Sequence, residues 1–190
     1  KPVISNTKAI PDYDIQGTPI NISSIVTDNA GIIDVRLNIT TPELTTFNIS
    51  IFSNKTDLDE YYNVNDYYSV GTYTYYIWAV DINGLSNSSR LKTFEIIDAP
   101  PIISSESPIN TAIDVSLNPT LSAEIQDYSN DDVEWTIKSN ATGTWNVLNG
   151  GLLGGNGIVS APTTNILDFS QTYYWSVNVT DPVGSGKWIN

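Results

Sequence analysis

The sequence predicts an all-β protein made of two tandem sandwiches, of which the second lacks its last strand within this chain. Thr72–Asp81 matches Thr172–Asp181 without a gap, so similar segments recur one hundred residues apart. Apolar and polar side chains alternate with a period of two along several short stretches, which is typical of half-buried strands. The apolar spacing of an amphipathic helix does not persist over any long stretch. A repeat built from short strands indicates two tandem modules.

The first module is predicted to span residues 1–98, which is near the size of an Ig-like sandwich. Turns rich in Asp, Asn and Gly separate its strand-like segments. In chain order these segments are 20–26, 35–39, 47–51, a strand that begins at Tyr61, 71–81 and 90–97. The side chains expected to face inward are Val35, Leu37, Ile39, Phe47, Ile49, Ile51, Tyr73 and Tyr75.

The second module is predicted to span residues 99–190 and to repeat this order. The two prolines of the joint at 98–101 favour an extended connection and end the preceding ladder. Val133–Ile137 is matched to Val35–Ile39, which places Trp135 inward in the middle of the sandwich. Five glycines between Gly150 and Gly157 predict a flexible surface loop.

The composition argues against several classes of function. The chain has no cysteine and no histidine, so disulfides, thiolate metal sites and the commonest general base are excluded. Its net charge is −13, and the few basic residues are scattered, which argues against a nucleic-acid partner. Only 15% of residues are charged, and the polarity that comes instead from Asn, Ser and Thr is typical of exported surface proteins. The sequence offers no membrane span, and an enzyme is not expected.

The last strand of the second module is the part that the repeat does not complete. Asn190 corresponds to Arg90, so the equivalent of Leu91–Ile97 is missing from the sequence. In an Ig-like sandwich that strand pairs with the long aromatic one, so an edge open to strand addition is expected. The residues of this edge are Tyr173, Trp175, Val177 and Val179. Either the chain is a segment of a longer protein, as a start at Lys1 and the absence of Met suggest, or a neighbouring subunit donates the strand and builds a filament.

N-glycosylation is the chemistry that the sequence supports best. The acceptor pattern Asn-x-Ser/Thr predicts sites at Asn21, Asn38, Asn48, Asn54, Asn87, Asn140 and Asn178. Alternation along the strands places Asn21, Asn38, Asn48 and Asn178 on outward faces, and the others fall in predicted turns. All of them are therefore expected to be accessible. Polar asparagine also prefers outward faces without any glycan, which predicts the same pattern.

Two further groups of residues have a functional and a structural interpretation. Asp127, Asn130, Asp131 and Asp132, with Asp181 nearby, offer the oxygen ligands that Ca²⁺ prefers. Their spacing matches no EF-hand loop, and turn formation explains them without a metal, so no cofactor is expected and calcium is the alternative. Tyr76, Trp78 and Tyr174 take the outward phase, where aromatic rings stack on sugars or pack against neighbouring segments.

Two stretches resemble a known family. Val26–Ile32, with Val35–Thr40 and Gly71–Asp81, resembles Ig-like repeats of archaeal surface proteins. Val115–Leu121 and Tyr173–Asp181 resemble a second repeat of such proteins, related in shape to fibronectin type III and PKD-like modules. The resemblance implies export and an Ig-like fold. It leaves the partner open, because such modules occur in S-layer proteins, adhesins and filaments.

These observations favour a non-enzymatic segment of an extracellular or cell-surface glycoprotein that serves as a spacer or assembly module. The alternatives are a filament subunit joined by strand donation, and an adhesin that binds glycan or protein through Tyr76, Trp78 and the glycine-rich stretch. The expected partners are other copies of the chain, neighbouring surface-protein domains and N-linked glycans.

Overall fold

The computed structural model describes residues 1–51, 53–55 and 59–189, all of it strands, turns and irregular segments without a helix. Within the described residues, nothing helical is long and apolar enough to cross a bilayer. The chain divides into two compact units, unit 1 at Lys1–Ile97 and unit 2 at Asp98–Asn190. Each unit packs one sheet on another, so the all-β, Ig-like sandwich predicted from the sequence is confirmed.

The described residues of unit 1 form ten strands in two sheets. They are β1 (Val3–Ile10), β2 (Tyr13–Ile15), β3 (Pro19–Thr27), β4 (Ile32–Thr40), β5 (Thr46–Ser50), β6 (Ser53–Lys55), β7 (Glu60–Asp66), β8 (Gly71–Asp81), β9 (Ser86–Ser88) and β10 (Lys92–Ile97). One sheet has the order β1-β3-β7-β6, and the other has β2-β10-β8-β4-β5, with β9 also paired to β8. The β2–β10 pair is parallel, and the other pairs of unit 1 are antiparallel.

The core of unit 1 follows the alternation along its two central strands. Leu37 on β4 faces Ile77 on β8 in register, and both side chains are fully buried. Tyr73 and Tyr75 point to the same side of β8, as predicted. The ring of Tyr73 stacks on Phe94 with centroids 4.8 Å apart. Full burial of such side chains stabilises the fold by about 1.5–3 kcal/mol each.

Within residues 98–189, unit 2 forms seven strands. They are β11 (Ile102–Ser107), β12 (Thr120–Gln126), β13 (Asp132–Ser139), β14 (Asn146–Gly154), β15 (Gly157–Pro162), β16 (Trp175–Thr180) and β17 (Trp188–Ile189). One sheet has the order β11-β12-β15 and the other has β14-β13-β16-β17. The core between them includes Leu121, Ile125, Ile137 and Val179, and Trp135 packs against it from its margin.

The two units repeat one another in detail. In both, the pairing of the first strand shifts near its middle, and the extra residue there, Asn6 or Ser105, has a positive φ. Trp135 pairs with Val179 as Val35 pairs with Ala79. Trp135 is therefore the true equivalent of Val35. The match between the two sequences predicts Val133 instead, which lies two residues earlier. A shift of two residues keeps every side chain on its predicted face.

The glycine-rich stretch is a strand, so the prediction of a flexible loop there is wrong. Gly150 and Gly151 lie inside β14, paired with Thr136 and Trp135 of β13. A Cβ on Gly150 would lie 2.7 Å from the Trp135 carbonyl oxygen and 2.9 Å from the Thr136 methyl carbon. Only the turn at Gly155, with a φ of 72°, uses the conformational freedom of glycine. Gly150 therefore permits the close approach of β13 and β14.

Phe47 is the inward prediction in unit 1 that fails. Its side chain is 50% exposed, whereas Ile51 is buried and Ile49 packs partly against the core. Phe47 lies on β5, the outermost strand of its sheet, next to the turn that Thr41 and Thr45 close. An edge strand has a neighbour on one side only, so alternation alone overstates the burial of its end residues.

Alanine substitutions at Leu37 and Phe47, both predicted to face inward, compare the contribution of a central strand with that of an edge strand. Leu37→Ala is expected to lower the free energy of unfolding by about 2–5 kcal/mol, because it leaves a cavity in a closed core. Phe47→Ala is expected to lower it by about 1 kcal/mol or less, because half of the ring already contacts water. Urea unfolding followed by circular dichroism measures both, and equal losses would contradict the described packing.

Adjacent glycines of β14 supply a second matched pair. Gly150→Ala is expected to destabilise unit 2 by about 1–3 kcal/mol, because the new methyl group meets backbone of β13. Gly151→Ala is expected to be neutral or slightly stabilising, since nothing lies within 4 Å of its Cβ position. Thermal unfolding of the two variants compares them directly, and a loss at Gly151 as large as that at Gly150 would contradict the strand.

Candidate functional site

Four carboxylates meet at one end of unit 2, and they are called the acidic pole here: Asp98, Asp127, Asp131 and Asp181. Asp127 directly follows β12, Asp181 directly follows β16, and Asp131 precedes β13. Because β13 and β16 are antiparallel, the residue before one lies beside the residue after the other. β11 and β12 are antiparallel as well, which places Asp98, ahead of β11, near the end of β12.

Three carboxylates of the acidic pole are close enough to share one cation, and the fourth lies next to them. Single oxygen atoms of Asp98, Asp131 and Asp181 all lie within 4.8 Å of one another. The backbone N–H of Asp131 donates to Asp127 Oδ2 at 3.1 Å, which joins the fourth carboxylate to the group. Ser129 Oγ donates to Asp98 Oδ1. Oxygens from separate segments of the chain thus converge on one small volume.

Asp181 is the fixed member of the acidic pole. Its Oδ1 accepts hydrogen bonds from the N–H groups of Val183 at 3.2 Å and Gly184 at 2.7 Å. Its Oδ2 accepts from the N–H of Ser185 at 2.6 Å. A Cβ on Gly184 would overlap oxygens of both Asp98 and Asp181, so glycine is needed where the turn passes these carboxylates.

Two oxygens of the acidic pole are buried without a donor. Asp181 is 0% and Asp127 is 4% exposed. Among the described residues, neither Asp127 Oδ1 nor Asp98 Oδ2 accepts a hydrogen bond. None of the ion pairs within the described part of the chain involves any of the four carboxylates. Buried carboxylate oxygens with neither a donor nor a cation destabilise the fold.

The crowding of these acids changes their affinity for protons. Burial raises the pKa of Asp98 to about 6, and the neighbouring Asp181 and Asp127 carboxylates add to the rise. Burial also raises the pKa of Asp127, with a contribution from the charge of Asp181. Burial acts in the same direction on Asp181, but hydrogen bonds from Asp98 and from the following turn hold the pKa of Asp181 below its ordinary value. Asp98 therefore binds a proton more readily than an ordinary aspartate does.

The equivalent place in unit 1 carries a pair of aspartates. Asp28 and Asp81 stand at the ends of β3 and β8, as Asp127 and Asp181 do at β12 and β16.

The acidic pole differs from the group of oxygen ligands that the sequence predicts. Asp127, Asp131 and Asp181 belong to both. Asp132 is exposed, and the side chain of Asn130 lies against Gly155. Asp98 was missed because it was assigned to the joint between modules. A signal for it was available, since it stands just before the first strand of a repeat whose turns already carry acids.

The glycosylation sequons differ in exposure. The prediction that all of them are accessible is wrong for Asn38. Asn38 is only 8% exposed, and its Oδ1 accepts a hydrogen bond from Asn48 Nδ2 at 2.7 Å. Asn38 does point away from the core, but it lies on a central strand between Asn48 and Tyr76. Cross-strand neighbours enclose it on a face that alternation alone describes as open.

The other sequons are more open. Asn48 is exposed, and Asn21, Asn87, Asn140 and Asn178 are half-buried. The Nδ2 of Asn87, the atom that carries a glycan, donates to the Pro2 carbonyl at 2.9 Å. Asn140 and Asn178 use only Oδ1 in the hydrogen bonds of the described residues, at 2.8 Å from Tyr174 N–H and 3.2 Å from Ser176 Oγ. Asn54 lies in β6, and its side chain falls outside the described residues.

The predicted edge is shorter than the sequence suggests. Val179 pairs with Ile189 of β17, so this residue is not open to another strand. Tyr173 lies outside β16, whereas its counterpart Tyr73 is inside β8 and pairs with β10. Trp175 and Val177 remain on a segment whose second side has no strand partner within 59–189.

The outward aromatic residues differ in their exposure. Tyr174 is 60% exposed, whereas Tyr76 and Trp78 are half-buried among neighbours on their sheet. Tyr174 belongs to unit 2, and Tyr76 and Trp78 belong to unit 1.

Comparisons with known proteins identify similar folds and no family. No protein-family model matches the chain, and no curated protein matches it. Latent PorU from Porphyromonas gingivalis is similar over 96% of this chain, with 16% identity and a TM-score of 0.38. The chain covers 19% of the PorU chain.

Two structures of β-sandwich modules are similar along the whole chain. The fibronectin(III)-like modules of Clostridium thermocellum CbhA are 15% identical, with a TM-score of 0.36, over all of this chain and 90% of that one. A structure of carbohydrate-binding modules from the β-sandwich superfamily is 9% identical, with a TM-score of 0.39, over all of this chain and 98% of that one. At these values the similarity supports no functional argument, and the fold rests on the strand pairing.

Proposed function

We propose that the chain is a non-enzymatic, extracellular pair of modules in a cell-surface glycoprotein, with a spacer or assembly role. The observation that carries this proposal is the close structural repeat: two sandwiches with matching central strands, first-strand bulges and aspartates, each closed around its own core. Repetition of a self-contained unit is how surface proteins build length. An S-layer-type or archaeal parent stays a prediction from the resemblance of the sequence.

The distribution of reactive groups supports a non-catalytic role. A surface depression of unit 2 has a volume of about 520 Å³ and is lined by Ser, Thr, Asn, Ala, Val and Leu side chains, among them Ser139, Thr142 and Asn165. No ionisable side chain lines it, so it offers no general acid or base. Among the described residues, the carboxylates that cluster are those of the acidic pole, two of whose oxygens are buried.

Glycan mapping tests the surface-glycoprotein part of the proposal. In protein isolated from its native source, glycopeptide mass spectrometry is expected to find glycans at Asn140 and Asn178, whose Nδ2 atoms donate no hydrogen bond within the described residues. A glycan is also expected at Asn48, whose side chain is exposed although its Nδ2 donates to Asn38. Asn38 is expected to be unmodified, because it is buried between strands. Asn38 is the internal control, since it carries the same acceptor pattern. A native protein with no glycan at any sequon would contradict the glycoprotein proposal.

Strand addition is a second candidate, favoured by one observation. Trp175–Asn178 pairs with β13 on one side and with no strand of the described segments on the other. In unit 1, β10 fills the corresponding place beside the start of β8, where Lys92 pairs with Tyr75, the counterpart of Trp175. A strand of the β10 type, from another copy or from a neighbouring surface-protein domain, would extend this sheet through main-chain hydrogen bonds.

A synthetic peptide with the sequence Leu91–Ile97 is a suitable probe of the open edge. It is expected to bind the full chain, to change the fluorescence of Trp175 and to protect the amides of Tyr173–Asn178 from exchange. The control is a peptide of the same composition in scrambled order. Equal binding of both peptides, or a dissociation constant weaker than about 1 mM for each, would contradict strand addition.

The adhesin alternative has no comparable support. Tyr76 and Trp78 are half-buried, and the glycines between 150 and 157 are mostly strand residues instead of a binding loop.

A further inference from the structure

We propose that the acidic pole of unit 2 is a calcium site, with carboxylate oxygens of Asp98, Asp127, Asp131 and Asp181 as its ligands. The first argument is charge. Carboxylate oxygens of three of these residues converge within 4.8 Å, and the fourth is joined to them through the backbone of Asp131. Carboxylates this close together repel one another unless a cation or protons lie between them.

The second argument is the unpartnered oxygen of Asp127, which is independent of the clustering. The side chain of Asp127 is almost fully buried, since the residue is only 4% exposed. Its Oδ1 accepts no hydrogen bond from the described residues. Its other oxygen accepts a hydrogen bond from the N–H of Asp131, and the negative charges of Asp181 and Asp131 act on this carboxyl group. A buried carboxylate oxygen that has no hydrogen-bond donor and lies near other negative charges is available to bind a metal ion.

The acidic pole also has no cation from the described part of the protein to balance its charge. None of the ion pairs of the described residues includes Asp98, Asp127, Asp131 or Asp181. The negative charge of these carboxylates is therefore left for a bound cation or for protons to balance.

The donor set indicates which cation fits. All ligands are hard oxygens, since the chain has no histidine or cysteine to offer. They come from separate turns, so their arrangement is irregular and suits the flexible coordination of Ca²⁺, which takes 6–8 oxygens with water completing the shell. Mg²⁺ requires a near-ideal octahedron and is seldom held by an all-protein cage. Calcium is therefore the ion that this site favours.

Titration of the full chain with CaCl₂ tests the site. Isothermal calorimetry is expected to give one calcium ion per chain, and the melting temperature is expected to rise with calcium relative to EDTA. Asp127→Asn and Asp98→Asn are expected to weaken calcium binding by about tenfold or more, because each removes a charged ligand. Asp132→Asn is the matched control: it removes the same charge from an exposed neighbour outside the site and is expected to leave affinity within about twofold.

Melting temperatures measured in EDTA distinguish a calcium-binding role of Asp98 and Asp127 from a purely structural role. Asparagine preserves the hydrogen bond that Asp127 Oδ2 accepts from Asp131 and removes one buried negative charge. In EDTA the Asp127→Asn and Asp98→Asn proteins are therefore expected to melt no lower than the parent, while their calcium-dependent rise is lost. The proposal is overturned if the parent binds no calcium up to about 10 mM, well above the roughly 1 mM constants of weak extracellular modules. It is also overturned if Mg²⁺ produces an equal response, or if Asp132→Asn weakens binding as much as Asp127→Asn.

Discussion

The pairing of β4 with β8 in unit 1, and of β13 with β16 in unit 2, is the constraint on which both sandwiches depend. Each pair sets a register in which alternate side chains of two long strands enter the core, as Leu37 with Ile77 and Ile137 with Val177 do. A slip of one residue would turn every one of these side chains toward solvent. The same register fixes the ends of the strands, and therefore brings Asp81 or Asp181 to one end of each unit.

The positions of those aspartates connect the fold to the proposed chemistry. Asp81 Oδ1 accepts N–H bonds from Asn83 and Leu85 at 2.9 Å each, and Asp181 is bonded in a similar way by the turn that follows β16. A carboxylate in this place thus serves the turn first, which accounts for its presence in both units. Among the described residues, the group of three converging carboxylates lies in unit 2. The calcium site that we propose is an elaboration of a structural turn, and the surface role rests on the repeated sandwich itself.

Alternation predicts the fold and the inward residues well, because the side chains of a strand have only two faces. Leu37, Tyr75 and Val177 are buried as predicted, whereas Phe47 is not, because it lies on an edge strand. Asn38, Gly150 and Asp98 have roles that depend on neighbours distant in sequence: cross-strand cover, close approach of β13, and acids from other turns. Period and composition describe a residue and its own strand, so contacts of this kind are beyond what a single sequence specifies.

Amide hydrogen exchange of the full chain, resolved to short peptides by mass spectrometry, tests the central claim most directly. Paired central strands exchange only when the unit opens, so peptides covering 35–39, 75–79, 133–138 and 177–180 are expected to be the slowest. The segment 171–174, which is irregular in unit 2, is expected to exchange rapidly, in contrast to the equivalent 71–74 in β8. Equal protection of these two segments, or rapid exchange at Leu37 and Val177, would contradict the register on which the account depends.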